Sequence, residues 1–70
     1  MAQQPAHLPN YRERTVLQVL SSKEWEFEST FAKVAGPALI ERMIQRAWVY
    51  RLTSDPNKIM ITASGKDALQ

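Results

Sequence analysis

The tightest constraint on this chain is a change of hydrophobic period at Trp48. Before it, Ile40, Met43, Ile44 and Ala47 recur at i, i+3, i+4 and i+7, the spacing that lines up side chains along one stripe of an α-helix. After it, residues 48–53 are rich in aromatic and β-branched side chains, and Lys58 to Thr62 places Ile59 and Ile61 on one face, the pattern of strands. Between them, Asp55-Pro56-Asn57-Lys58 puts Asp at the first and Pro at the second position of a type I turn. A helix feeding directly into a β-hairpin accommodates both periods.

Gly36-Pro37 marks the break before that helix, because Gly permits a backbone turn and Pro suits a first helical position. The spacing predicts a helix over 37–47. Upstream, Ser29 or a neighbour caps a shorter helix over 29–35, with Phe31, Ala32 and Val34 turned inward. Asn10 is a good N-cap for a first helix over 11–21 carrying Val16, Val19 and Leu20. Trp25 and Phe27 alternate with Glu24, Glu26 and Glu28, which fits a short strand with one apolar face and solvated glutamates. Alternatively, the two aromatics plug the core from a loop. After the hairpin, Thr62 or Ser64 caps a final short helix, and Ser64-x-x-Asp67 matches a capping box. Residues 1–9, with Pro5 and Pro9, read as a flexible arm, and 10–70 as one domain.

Seventy residues bury only a little over ~60% of the unfolded surface, so the core is small. With no Cys there is neither a disulfide nor a zinc–thiolate site, and the single His7 lies in the arm without partners. No apolar run approaches the about 18 residues of a membrane span, and the first residues lack the pattern of a secretory signal. These features predict a soluble, cytoplasmic protein. Net charge is only +2, but it is unevenly placed. Three basic and four acidic side chains lie up to Ser29, and six basic against three acidic after it.

On the helix over 37–47, Ala38, Arg42 and Gln45 lie opposite the apolar stripe, flanked by Glu41 and Arg46. Arg donates two bonds to guanine and Gln pairs with adenine edges, so this face suits a major groove. The small Pro37 and Ala38 let the helix start approach closely, where the helix dipole favours phosphate. Arg51, Asn57 and Lys58 on or near the hairpin tip suit the backbone or the minor groove. Lys33 and Lys66 can add phosphate contacts. Glu41 works against such a partner unless it accepts from a cytosine amino group. Trp25, Trp48 and Tyr50 serve the core, or stack bases if exposed. Little points to catalysis: the glutamates at 24, 26 and 28 have no apolar surroundings to raise a pKa, and Gly36 and Gly65 make no phosphate loop. No catalytic residue, metal or cofactor is expected.

Three stretches resemble bacterial winged helix-turn-helix regulators. Phe31-Ala32-Lys33-Val34-Ala35-Gly36 is similar to the L-A-x-x-x-G of their second helix and turn. Residues 40–51 resemble their recognition helix and its exit into the wing. Ile61-Thr62-Ala63-Ser64-Gly65-Lys66-Asp67-Ala68-Leu69 is similar to the L-T-x-x-G-x-x-x-L that closes the wing in MarR-type regulators. The resemblance covers about two-thirds of the chain. It implies an α+β fold: a three-helix core, a C-terminal β-hairpin wing and a short final helix. It further implies a transcription-factor-like domain with Ala38, Leu39, Arg42, Gln45 and Arg46 facing double-stranded DNA, as a homodimer or beside a fused partner domain. Ala47 stands where many relatives carry Gly, and the long helices that dimerise MarR-type proteins have no counterpart. The same scaffold also serves as a protein-interaction module, because a fold does not fix a function.

Overall fold

A computed structural model of the chain describes residues 8–69. Of the expected arm over residues 1–9, residues 1–7, with His7, lie outside the described residues, and Pro9 is buried. The described residues form an α+β fold. Helix α1 (Tyr11–Ser21) leads to a short strand β1 (Glu26–Phe27) and a 3-10 helix (Glu28–Phe31). Helix α2 (Pro37–Gln45), strands β2 (Val49–Arg51) and β3 (Lys58–Ile61), and helix α3 (Ala63–Ala68) follow. The strands make one antiparallel sheet in the order β1-β3-β2. No helix among the described residues is long and apolar enough to cross a membrane.

Asn10 caps α1 as expected. Its side chain accepts from the Glu13 N–H, while the Glu13 carboxylate accepts from the Asn10 N–H, both at 2.9 Å. Two of the otherwise orphaned amides at the helix start are thereby satisfied. Val16, Leu17 and Leu20 turn one face of α1 into the core. They meet Phe31, Ala35, Leu39, Ile40 and Met43 from the middle of the chain, and Trp48, Val49 and Ile59 from the hairpin.

The expected helix over 29–35 is a correction. The chain makes the 3-10 helix and then irregular turns, closed by amides of Val34 and Ala35 bonding to the Phe31 carbonyl. A tighter turn rotates the side chains differently. Phe31 and Ala35 are buried, while Ala32, expected inward, is exposed. Gly36 is a second correction. Its backbone is extended at φ −73°, and a Cβ there would meet nothing within 4 Å. Pro37 at the first helical position, as expected, starts α2.

Helix α2 ends two residues earlier than the spacing predicts. Ala47 adopts φ 63°, the left-handed region. The Ala47 amide bonds to the Ile44 carbonyl and the Trp48 amide to the Met43 carbonyl, the paired bonds of a Schellman ending. The turn at Asp55–Lys58 closes with the Lys58 amide on the Asp55 carbonyl, at 2.9 Å. Thr62, not Ser64, caps α3, its hydroxyl accepting from the Gly65 amide at 2.9 Å.

The sheet reverses the expected polarity of β1. Glu26 lies opposite the fully buried Ile59, and Phe27 opposite Lys58. Trp25 and Phe27 are therefore exposed, while Glu26 and Glu28 are half-buried. Tyr50 also points outward, and of the aromatics weighed for the core or for stacking only Trp48 is buried.

Candidate nucleic-acid interface

Helix α2 positions the central residues. Ile40 and Met43 are fully buried and Ile44 packs against the core, so the stripe read from the spacing faces inward. Ala38, Glu41, Arg42 and Gln45 consequently share the exposed side. Leu39 is a correction: it is buried in the core and cannot face a ligand. Its position follows from the width of the apolar face, which a short helix packed on two sides needs to be broad. Among the described residues, the Arg42 guanidinium has no hydrogen-bond or ion-pair partner.

Arg46 is held within the protein. Its Nη1 lies 3.2 Å from the Glu13 carboxylate, and its guanidinium sits 5.3 Å from the centre of the Trp48 ring. Glu13 is only 2% exposed. An isolated carboxylate there would be costly to bury, so Arg46 supplies compensation that the Asn10 amide alone does not.

Arg51 joins three segments. Nη1 donates to Glu28 and, at 3.2 Å, to the Pro56 carbonyl; Nη2 donates to Glu41 at 2.9 Å. The Glu28 carboxylate first, then Glu41, push the Arg51 guanidinium above its ordinary value. This side chain thus draws the hairpin turn, the 3-10 helix and the exposed side of α2 together. An open groove of about 670 Å³ lies beside it, walled by Phe27, Ala32, Ala35, Pro37 and Asn57. The clamp also neutralises Glu41, the one acid on the exposed side of α2.

Lys58 does not project from the tip. Its ammonium lies 4.1 Å from the centre of the Trp25 ring and 5.8 Å from that of Phe27. Asn57 is exposed, with its carbonyl accepting from the Glu28 amide at 2.8 Å. Lys33 and Lys66 are exposed. The geometry therefore gathers Ala38, Glu41, Arg42 and Gln45 on one helix, with Asn57 at the turn tied to it through Arg51. It withdraws Leu39 into the core and gives Arg46, Arg51 and Lys58 internal partners.

Two features were missed in the sequence. The Glu13–Arg46 pair had half a signal, since Asn10-x-x-Glu13 has capping-box spacing that fixes Glu13 against the helix start. The Arg51 clamp had none, because Glu28, Glu41 and Arg51 belong to three different elements. Comparison with protein-family models, with curated proteins and with solved structures finds no match to this chain.

Proposed function

We propose that this chain is a small winged helix-turn-helix domain that binds double-stranded DNA, with α2 in the major groove and the Asp55–Lys58 turn on the backbone or in the minor groove. The observation that carries the reading is the side of α2 bearing Ala38, Arg42 and Gln45. It is exposed, its opposite side is core, and Arg42 is uncommitted among the described residues. The order of α1, 3-10 helix, α2 and hairpin supports it, as does the Arg51 clamp that seats the turn beside α2. Arg42 and Gln45 read base edges. Ala38 admits the helix start. Lys33, Lys66 and Asn57 contact phosphates.

The internal pairing of Arg46, Arg51 and Lys58 sets the scale. With about two to four phosphate contacts, log affinity falls with log salt at a slope of about −2 to −4. A single module with so few contacts binds weakly, so specific recognition requires two half-sites or a fused domain. Amide chemical shifts on adding a random duplex at low salt test the docking. Perturbations gathered at residues 37–46 and 54–58 are expected; perturbations elsewhere alone reject it.

The same internal pairing favours a second reading, a protein-interaction module on this scaffold, because it leaves few free cations on the α2 side. Absence of any duplex binding at low salt selects that reading over the first.

A further inference from the structure

Five large hydrophobic side chains are exposed among the described residues, and three of them, Trp25, Phe27 and Tyr50, lie on the outer face of the sheet. The register explains why. Phe27 sits opposite Lys58 and Tyr50 opposite Met60, while Glu26, Ile59 and Val49 occupy the alternate, inner positions. Trp25, two residues before Phe27, joins the same side, its ring 5.0 Å from that of Phe27 and nearly perpendicular to it. Tyr50 is tethered by its hydroxyl to the Met60 sulfur at 3.2 Å. The result is a pair of rings at β1 and a third on β2, with Lys58 and Met60 of β3 between them and the lysine leaning over the β1 pair. Adjacent strands lie about 4.8 Å apart, so the backbones that carry the β1 and β2 rings are about 10 Å apart, a span for bases that are not nearest neighbours.

We propose that this outer face of the sheet binds single-stranded nucleic acid by stacking bases on Trp25, Phe27 and Tyr50, with Lys58 taking a phosphate. Lys58 decides the class of partner. Its ammonium lies over the paired rings of Trp25 and Phe27, 4.1 Å and 5.8 Å from their centres. A second copy of this chain, or an apolar protein surface, closing over the face would bury that charge, which is unfavourable without an anion. A strand of nucleic acid brings both what the rings take and what the lysine takes. The exchange is favourable in magnitude as well. An exposed cation–π contact is worth a factor of about 2 to 5 in an equilibrium constant. A base stacked on an aromatic side chain is worth about 5 to 150. The lysine over Trp25 is therefore a placeholder that a base displaces, and the freed ammonium moves to the adjoining phosphate. Phe27 also walls the groove beside Arg51, and Lys58 belongs to the turn of the duplex reading, but the inference rests on the three rings and not on Arg42 or Gln45 of α2.

Tryptophan fluorescence of the whole chain tests it, with a thymidine oligonucleotide of about ten nucleotides as the probe at low salt. Trp48 is 6% exposed and Trp25 is 36% exposed, so quenching reports the outer face. Saturable quenching that weakens with added salt is expected. Phe27→Ala and Tyr50→Ala, both at exposed positions, each weaken binding about 5-fold or more. Absence of saturable quenching, or equal affinity of Phe27→Ala, Tyr50→Ala and the parent, overturns the proposal. So does concentration-dependent self-association in sedimentation that Phe27→Ala abolishes, because the face then belongs to a second copy.

Discussion

Gly65 lies directly beneath the carbonyl of Trp48: a Cβ on Gly65 would stand 2.2 Å from that oxygen and 2.7 Å from the Cγ1 of Ile61. The same carbonyl accepts from the Thr62 amide and hydroxyl, and the Thr62 hydroxyl also bonds to the Ala47 carbonyl. The end of the hairpin, the cap of α3 and the exit of α2 thus meet at one point, and only a residue without a side chain fits there. Gly65→Ala must push backbone against backbone. It is expected to destabilise the protein by about 2–3 kcal/mol, read as a lowered urea midpoint with unchanged slope.

The other glycine behaves oppositely, and an alanine carries the strain that a glycine would relieve. Gly36 caps α2 with no side-chain bond, in an extended conformation open to any residue. Gly36→Ser supplies a capping oxygen and is expected to add about 0.3 kcal/mol. Ala47, at φ 63°, holds a left-handed conformation disfavoured for a side chain with a Cβ. Ala47→Gly removes that cost, offset in part by the greater freedom of the unfolded chain. A net gain of about 0.5 kcal/mol is expected in the same urea titrations. A loss of stability in Ala47→Gly rejects the strained exit.

Periodic features were legible in the sequence, and contacts between distant segments were not. The stripe of Ile40, Met43 and Ile44, the Asn10 cap and the Asp55–Lys58 turn each rest on neighbours a few residues apart. The β1 segment misled because alternation fixes which residues share a face but not which face is buried. That choice was made by pairing with β3, where the buried Ile59 draws Glu26 to its side and leaves Phe27 beside Lys58. Glu26 is then accommodated by Lys23, Thr30 and the Phe27 amide. In the candidate interface, exposure on α2 was readable from its period, except at Leu39. The engagement of Arg46 and Arg51 was hidden because Glu13, Glu28 and Glu41 come to them from other elements.

Arg42 and Arg46 stand one helical turn apart and are expected to respond differently to removal. Arg42→Ala leaves folding stability within about 0.5 kcal/mol of the parent, as for exposed helix sites without partners. It weakens binding to a selected duplex by about 1–3 kcal/mol. Equal affinities of parent and variant, measured by fluorescence anisotropy, reject the docking of α2.

Arg46→Ala strands the buried Glu13 carboxylate, which then keeps only the Asn10 amide. Breaking such a pair costs several kcal/mol when both partners are buried, and less here because the Arg46 side chain is 28% exposed. A loss of about 2 kcal/mol is expected. Adding Glu13→Gln to Arg46→Ala removes the stranded charge while keeping an oxygen for the Asn10 amide, so the double variant recovers part of the loss. A double variant less stable than Arg46→Ala alone would contradict the pairing.

Glu26 gives the fold an acid-sensitive contact. The Lys23 ammonium first, at 2.8 Å, and the Phe27 amide next hold its carboxyl below the ordinary value of 4.5. Around that value the unfolded chain binds more protons than the folded one, so stability rises with pH there. The contribution is complete above the unfolded pKa and disappears as pH falls through the lower folded one. Because the Lys23 side chain is half exposed, added salt weakens the pair. Urea midpoints measured from neutral pH down to about pH 3 should fall more steeply for the parent than for Glu26→Gln. The difference between the two should shrink in molar salt, whereas parallel curves at low salt would show that Glu26 does not couple protonation to folding.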